Sequence, residues 1–571
     1  MSNPQTRATP LPQTGVPIVD AMTTGYQWIL EADRTVDWSI SDGFGGEKWL
    51  NASYTYAQVK NVLDGVSYYA DIKFNYVGYY SSPSTASLFG SEINVSLSGS
   101  SAIFPSNNIW ALGFFPNSQN NSTWYNGAPG DIFLNINSQA NNLPSYEPGS
   151  AGYALIIHEV GHALGLKHPF DDGGTGRPTL NSIGLSGLNI DWATVMAYSD
   201  DFDLNRRYYD PANPMLLDVI ALQYIYGPNM STNSADGAYY LLKDGSYYTY
   251  WDAAGKDLIS AVRSNSGWEI KLSNYDGFSR IHTELGYAIP TSELTLSSPL
   301  NLRWLMGRLE DAEGSAYSDT IYGNSIDNQL IGHEGNDALY GSSGSDSIVG
   351  GQGSDYVEGG DGNDFITYYV GELRGGNDTY WGGLGDDTVL AEAGSNYLRG
   401  SEGNDVVSGG SGFDDMHGNQ GNDTLYGNDG EDWVVGGKDN DLLFGDAAWD
   451  IVYGNMGNDT IEGGAGNDWV RGGQGDDTVM GGAGDDWIWG DKGNDTISGG
   501  AGADIFYSLA GAAIDRITDF SYAAGDRLKL EGSPSRTITQ VGFDVLVDMG
   551  NGDQVILVGV SLSSLGAGWI I

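Results

Sequence analysis

The 571-residue chain contains no cysteine, so disulfides staple no part of it, although that absence does not by itself assign a redox compartment. Basic residues are scarce: 25 Lys and Arg face 74 Asp and Glu, a formal charge of −49. That balance argues against nucleic acid and anionic membrane as partners. No stretch approaches the roughly 18 consecutive apolar residues of a membrane span. The opening residues show no basic segment followed by an apolar one, so no Sec-type signal is visible. Histidine is also rare, with six in all.

Three of those six fall in residues 158 to 168, which read HEVGHALGLKH. His158 and His162 lie four apart, so a helix puts both imidazoles on one face, close enough to share one ion. Glu159 beside them is placed to take a proton from a water. Gly165 ends the helix and turns the chain so that His168 swings back as a third nitrogen ligand. Three neutral imidazoles with an open fourth position describe a catalytic zinc site rather than a structural one. HExxH alone recurs by chance in ordinary helices. The added glycine and third histidine at fixed offsets make chance a poor explanation.

HExxHxxGxxH is the metzincin signature, and Pro169 after it resembles the serralysin type. A second mark is Val195-Met196-Ala197-Tyr198. The resemblance makes Met196 the residue of the Met-turn, an apolar floor beneath the metal, and gives Tyr198 the role of stabilising the transition state. Residues 212 to 229, ANPMLLDVIALQYIYGPN, resemble the helix that follows this turn in serralysins, whereas residues 189 to 194 match the family only loosely. The resemblance implies a secreted zinc endopeptidase with protein or peptide substrates. It also implies export by type I secretion machinery and, as a further partner, a proteinaceous inhibitor. An extended substrate would pair along an edge strand at Trp110, Ala111 and Leu112.

Residues 1–22, rich in Pro, Thr and Gln, read as a loose leader; a short propeptide and a disordered terminus remain alternatives. Residues 23–230 are expected to form an α+β metzincin-like catalytic domain. Its helix at Tyr56 to Tyr69 places Val59, Val62, Leu63 and Val66 at helical spacing. Strands are expected at 72–76, 92–97, 109–115 and 131–135. Ser150 is read as the N-cap of the zinc helix, and Pro214 and Gly227 as the limits of a later one. Residues 231–310 read as a connecting β segment, in which 251–257, WDAAGKD, resemble the family's first calcium-binding turn.

The tail is a repeat. Aspartate recurs every nine residues at Asp337, Asp346, Asp355 and Asp364, resumes after a five-residue insertion at Asp378 and Asp387, and skips to Asn396. It then runs in steps of nine from Asp405 through Asp414, Asp423, Asp432, Asp441, Asp450, Asp459, Asp468, Asp477, Asp486 and Asp495 to Asp504. Glycine usually stands two residues before each, and Leu, Ile or Val two after. This is the RTX nonapeptide GGxGxDxUx, a calcium-binding parallel β-helix repeat. Six residues make a glycine-permitted turn and three a short strand; two units complete a coil, so like turns stack eighteen residues apart. Calcium, wanting six or more oxygens, fits between stacked turns. The thirteen aspartates from Asp337 to Asp364, Asp405 to Asp432 and Asp459 to Asp495 are the expected ligands. Calcium is expected to be least secure where Asp439 and Ala448 replace the turn glycine.

Residues 311–510 hold 38 acidic against 5 basic residues, a charge of −33 that resists compaction unless cations bind. The sequence therefore predicts an all-β parallel β-roll over 311–507, capped by residues 508–571 with an apolar, export-type end at Gly568-Trp569-Ile570-Ile571. A second reading makes the chain a surface-layer or adhesive RTX protein with a vestigial protease head. The intact motif residues weigh against it.

Overall fold

The computed structural model describes residues 8–10, 22–23, 26–28, 34–42, 48, 52–88, 93–98, 111–113, 132–135, 151–166, 196, 214–226, 229, 231, 235–242, 248–252, 254–274, 286–294, 301–307, 309–368, 376–509, 511–532 and 535–571. They fall into two compact units: residues 1–258 with 271–309, and residues 259–270 with 310–571. Among the described residues no helix is long and apolar enough to cross a membrane.

The first unit is mixed α/β. Strand β1 (Thr35–Ser41) pairs in parallel with β2 (Lys73–Tyr80) and β3 (Ile93–Ser98). Beyond β3 lies β5 (Ile132–Asn135), and the sheet ends on the antiparallel strand β4 (Ala111–Gly113). Helix α1 (Ala52–Tyr69) starts four residues earlier than its apolar spacing suggests and buries Val59, Val62, Leu63 and Val66 as expected. Helix α2 (Ala151–Ala163) packs on α1 and carries the histidine motif. Helix α3 (Leu216–Tyr226) begins just after Pro214, and the Asp218 carboxylate caps its first turn by accepting from the Met215 N–H at 2.9 Å. One apolar core joins Trp38, Leu63, Val160, Leu164, Met196, Leu217 and Tyr226.

The second unit is a parallel β-solenoid. Successive strands alternate between two sheets, and each pairs with the strand one coil on. Leu330 stands opposite Ile348, and Leu339 opposite Val357, eighteen residues apart. Across the insertion Val357 pairs with Tyr380, 23 residues on, so the five extra residues leave the register intact. The central residue of each strand points into the core; Ile348, Val407, Val452 and Ile488 are fully buried. One expectation needs correction. Most strands span six residues, such as Gln329–Glu334 and Thr478–Ala483, and only a few span three, such as Leu442–Phe444. The ladder continues into the turn, whose positive-φ residues still pair from coil to coil: His333 (φ +78°) with Gly351 (φ +107°), and Gly464 (φ +108°) with Gly482 (φ +116°).

The stack ends in antiparallel strands Thr537–Val541, Asp544–Gly550 and Asp553–Leu557, the last joining Ile514–Ile517 in parallel. Trp569 packs its ring edge on Phe520 at 6.1 Å, and the Leu528 N–H donates to the Trp569 carbonyl at 2.8 Å.

Candidate metal centres

Helix α2 places His158, Glu159 and His162 together, all buried. The two imidazoles meet at right angles with centroids 4.8 Å apart. The His162 Nδ1 lies 3.0 Å from the Leu166 carbonyl, which fixes the ring so that Nε2 is the nitrogen that would coordinate a metal. The end of the helix follows from its sequence. The Leu166 N–H donates to the Gly161 carbonyl at 2.9 Å and the Gly165 N–H to that of His162 at 3.0 Å, with Gly165 at φ +103°. This is a Schellman closure, which needs a residue without a Cβ at Gly165. The Tyr226 hydroxyl on α3 donates to the Leu164 carbonyl at 2.8 Å, satisfying another group the helix end leaves bare.

Met196 is fully buried against the same helix. Its Sδ stands 2.6 Å from where a Cβ on Gly161 would be, so the glycine between Val160 and His162 is the slot that admits the thioether. Sequence reasoning passed over Gly161. A glycine inside a short helix, costing about 1 kcal/mol against alanine, was the available signal. His168, Tyr198, Pro169, Ser150 and Trp110 lie outside the described residues. Ala111 and Leu112 belong to the sheet's terminal strand β4, against which α2 packs. Among the described residues no three His, Asp or Glu side chains form a metal cluster. The pair on α2, of the right donor chemistry and with one ring already oriented, fits the histidine share of a zinc site.

The repeat aspartates are brought together as one column per sheet edge. In each, one carboxylate oxygen accepts from the aspartate N–H one coil back: Asp337 N–H to Asp355 Oδ1 at 2.9 Å, Asp459 N–H to Asp477 Oδ1 at 2.8 Å. The other oxygen is buried without a hydrogen-bond partner at Asp337, Asp346, Asp355, Asp364, Asp405, Asp414, Asp423, Asp432, Asp459, Asp468, Asp477, Asp486 and Asp495. It faces the first glycine of its unit and the carbonyl of the corresponding glycine one coil on. A Cβ on Gly481 would lie 2.5 Å from Asp486 Oδ2 and 2.7 Å from the Gly499 carbonyl. A column of buried oxygens with no donor is the lining that a hard cation requires and that a side chain would block.

The same arrangement recurs at Asp387, Asp441, Asp450 and Asp504. At Asp439 (φ +72°) and Ala448 (φ +91°) the turn keeps its left-handed backbone without glycine, so these units carry strain but no change of shape. Two units depart. The Tyr380 hydroxyl donates to Asp378 Oδ2 at 3.2 Å, and at Asn396 an amide replaces the carboxylate and donates to Asp414 Oδ1 at 2.8 Å, so each of these units has a protein donor in place of a bare carboxylate oxygen. Burial, opposed by the hydrogen bond from the backbone, raises the carboxyls well above their usual range: Asp337, Asp441 and Asp450 to about 8, Asp355 and Asp477 to about 7, Asp459 and Asp486 to about 6. In the first unit Asp252 is likewise pushed to about 8, by burial and by the neighbouring Asp257.

Residues 313 to 513 match, in overlapping runs, the model of the RTX calcium-binding nonapeptide repeat. The chain is similar to a serralysin of Proteus mirabilis, 30% identical over 211 residues, which are 35% of this chain and 40% of that protein. Metalloprotease AprA of Pseudomonas entomophila is 28% identical over 235 residues, 38% of this chain and 44% of its own. A serralysin of Photorhabdus laumondii is 27% identical over 326 residues, covering 53% and 59%. The chain thus spans 40 to 59% of the length of these relatives. A solved structure, the extracellular lipase LipA from Serratia marcescens, matches at 18% identity over 44% of this chain and 40% of its own, with a TM-score of 0.13 that carries no argument. The solenoid is an RTX calcium-binding repeat region, and the chain that bears it resembles the serralysin-type proteases.

Proposed function

We propose that the protein is a secreted, calcium-requiring zinc endopeptidase. The observation that carries this reading is the buried pair His158 and His162 with Glu159 between them, on a helix closed by Gly165 and seated on Met196. His158, His162 and His168 would hold the zinc. When bound, zinc supplies Lewis-acid polarisation of the substrate carbonyl and acidifies a water. Glu159 takes the proton of the attacking water and passes it to the leaving amine. Tyr198 donates a hydrogen bond to the developing oxyanion. The substrate lies extended beside Ala111 and Leu112, pairing through its backbone, a mode that favours flexible protein segments over one target.

The solenoid binds calcium through the orphaned Asp Oδ2 atoms and glycine carbonyls. Export through type I secretion machinery before calcium-driven folding fits a chain whose repeats repel one another without the ion. The vestigial-head alternative is disfavoured by the retained His162–Leu166 and Gly161–Met196 contacts, which an idle site has no reason to keep. Zinc analysis together with casein digestion, with and without chelator, tests the proposal. Stoichiometric zinc and chelator-sensitive cleavage are expected; a zinc-free, inactive protein would leave the adhesive reading in its place.

A further inference from the structure

The two sheets of the solenoid present different outer faces. Across residues 311–510, five of the six tryptophans, Trp381, Trp433, Trp469, Trp487 and Trp489, lie on strands of one sheet, and the sixth, Trp449, directly precedes another of its strands. The opposite sheet carries none. The described basic residues of that span, Arg399, Lys438, Arg471 and Lys492, follow the same division.

At the C-terminal half the rings touch in sequence. Trp449 meets Trp469 at 6.2 Å, Trp469 meets Trp487 at 5.0 Å and Trp489 at 6.2 Å, and Trp489 stacks on Tyr507 at 4.0 Å and 18°. Trp433, 42% exposed, and Trp487, 36% exposed, leave much of their surface to solvent. The ring contacts support the stack, but the area these rings leave to solvent makes a contiguous exposed aromatic patch, the mark of an interaction surface. On the same sheet a cavity of about 480 Å³ opens by Tyr356, Glu358, Trp381 and Glu402, and one of about 400 Å³ adjoins the run by Tyr453, Arg471, Gln474 and Lys492. Both therefore pair rings with hydrogen-bonding side chains. In the second, Arg471 is held by Asp491 through a 3.1 Å bond from Nη2.

The chemistry of the occupant follows by elimination. A polyanion or an anionic lipid surface meets a segment of charge −33 and, in one cavity, Glu358 and Glu402. A peptide adding to a sheet needs an unpaired edge, whereas the strands in the middle of this face are hydrogen-bonded on both sides. Many hydroxyls, each able to donate to a carboxylate and accept from an amide or guanidinium, suit both cavities. Flat rings on strands about 4.8 Å apart suit successive sugar faces. We propose that this face is a docking platform for an uncharged extracellular polysaccharide, which would anchor the protein independently of the zinc site.

Native affinity electrophoresis of the full chain in calcium tests this, with hydroxyethylcellulose, galactomannan, dextran and soluble starch as neutral probes. A polyuronate and phosphatidylserine vesicles form the charged arms. The proposal expects retardation by at least one neutral polymer, weakened about tenfold by Trp487→Ala and by Gln474→Ala. Calcium-induced circular dichroism of both variants should match the parent, and a misfolded variant is replaced by Trp433→Ala. No retardation by any neutral probe, binding confined to the charged arms, or retardation untouched in the folded variants would overturn it.

Discussion

The sulfur of Met196 occupies the space beside Gly161 that a side chain on that residue would need, 2.6 Å from its Cβ position. The contact joins residues 35 positions apart and seats Met196 on the helix that carries His158 and His162. Helix propensity alone makes Gly161→Ala stabilising by about 1 kcal/mol. The collision with a fully buried Met196 reverses the sign, costing about 1–3 kcal/mol as overpacking does. Thermal denaturation should show a lower Tm together with weaker zinc retention. A raised Tm would mean the thioether has room to move aside.

If the phenol acts in the transition state as proposed, Tyr198→Phe should lower kcat substantially and leave KM almost unchanged. Steady-state kinetics on a peptide substrate separate the two constants. A raised KM with unchanged kcat would make Tyr198 a substrate-binding residue instead.

Calcium removal should unfold the solenoid. Its aspartate columns keep their charge and lose the ions that bridge stacked turns, and far-UV circular dichroism of the chain titrated with calcium should show β-structure appearing with the ion. A solenoid signal already complete in excess chelator would mean that the apolar core suffices.

The same columns predict a pH dependence. In the calcium-free fold burial raises the carboxyls to about 6 to 8, as at Asp486, Asp477 and Asp450, above the roughly 3.9 of an unfolded aspartate. The folded state then holds more protons, so its stability is greatest below pH about 4 and falls as pH rises through 6 to 8. In chelator, β-structure should strengthen on acidification. The unfolded chain and the calcium-bound fold are both deprotonated between pH 6 and pH 8, so the protons that acidification adds stabilise the calcium-free fold and the calcium concentration at the folding midpoint should rise from pH 6 to pH 8. A midpoint that falls with pH would contradict the burial of these carboxyls in the calcium-free fold.

What was legible in the sequence was local or periodic. The offsets from His158 to Gly165 lie within one helix and its closure, so spacing alone describes that geometry. The nonapeptide repeats its own environment, so one unit predicts the next, including the buried Asp Oδ2. Contacts between distant segments were not legible. Gly161 against Met196 and the Tyr226 hydroxyl on the Leu164 carbonyl depend on how elements pack. Strand length was misjudged because glycine reads as turn, while its backbone in the Gly464–Gly482 pair continues the ladder. Nor does the period reveal that Asn396 and Tyr380 supply protein donors to their columns, since both depend on the neighbouring coil.

The most direct test of the proposed chemistry is Glu159→Ala, assayed for casein hydrolysis and for bound zinc on the same calcium-loaded preparation. Glu159 is assigned as the proton carrier and not as a ligand, so its loss should reduce hydrolysis by several orders of magnitude while zinc stays at one per chain. Near-parental hydrolysis by the zinc-loaded variant would contradict the account.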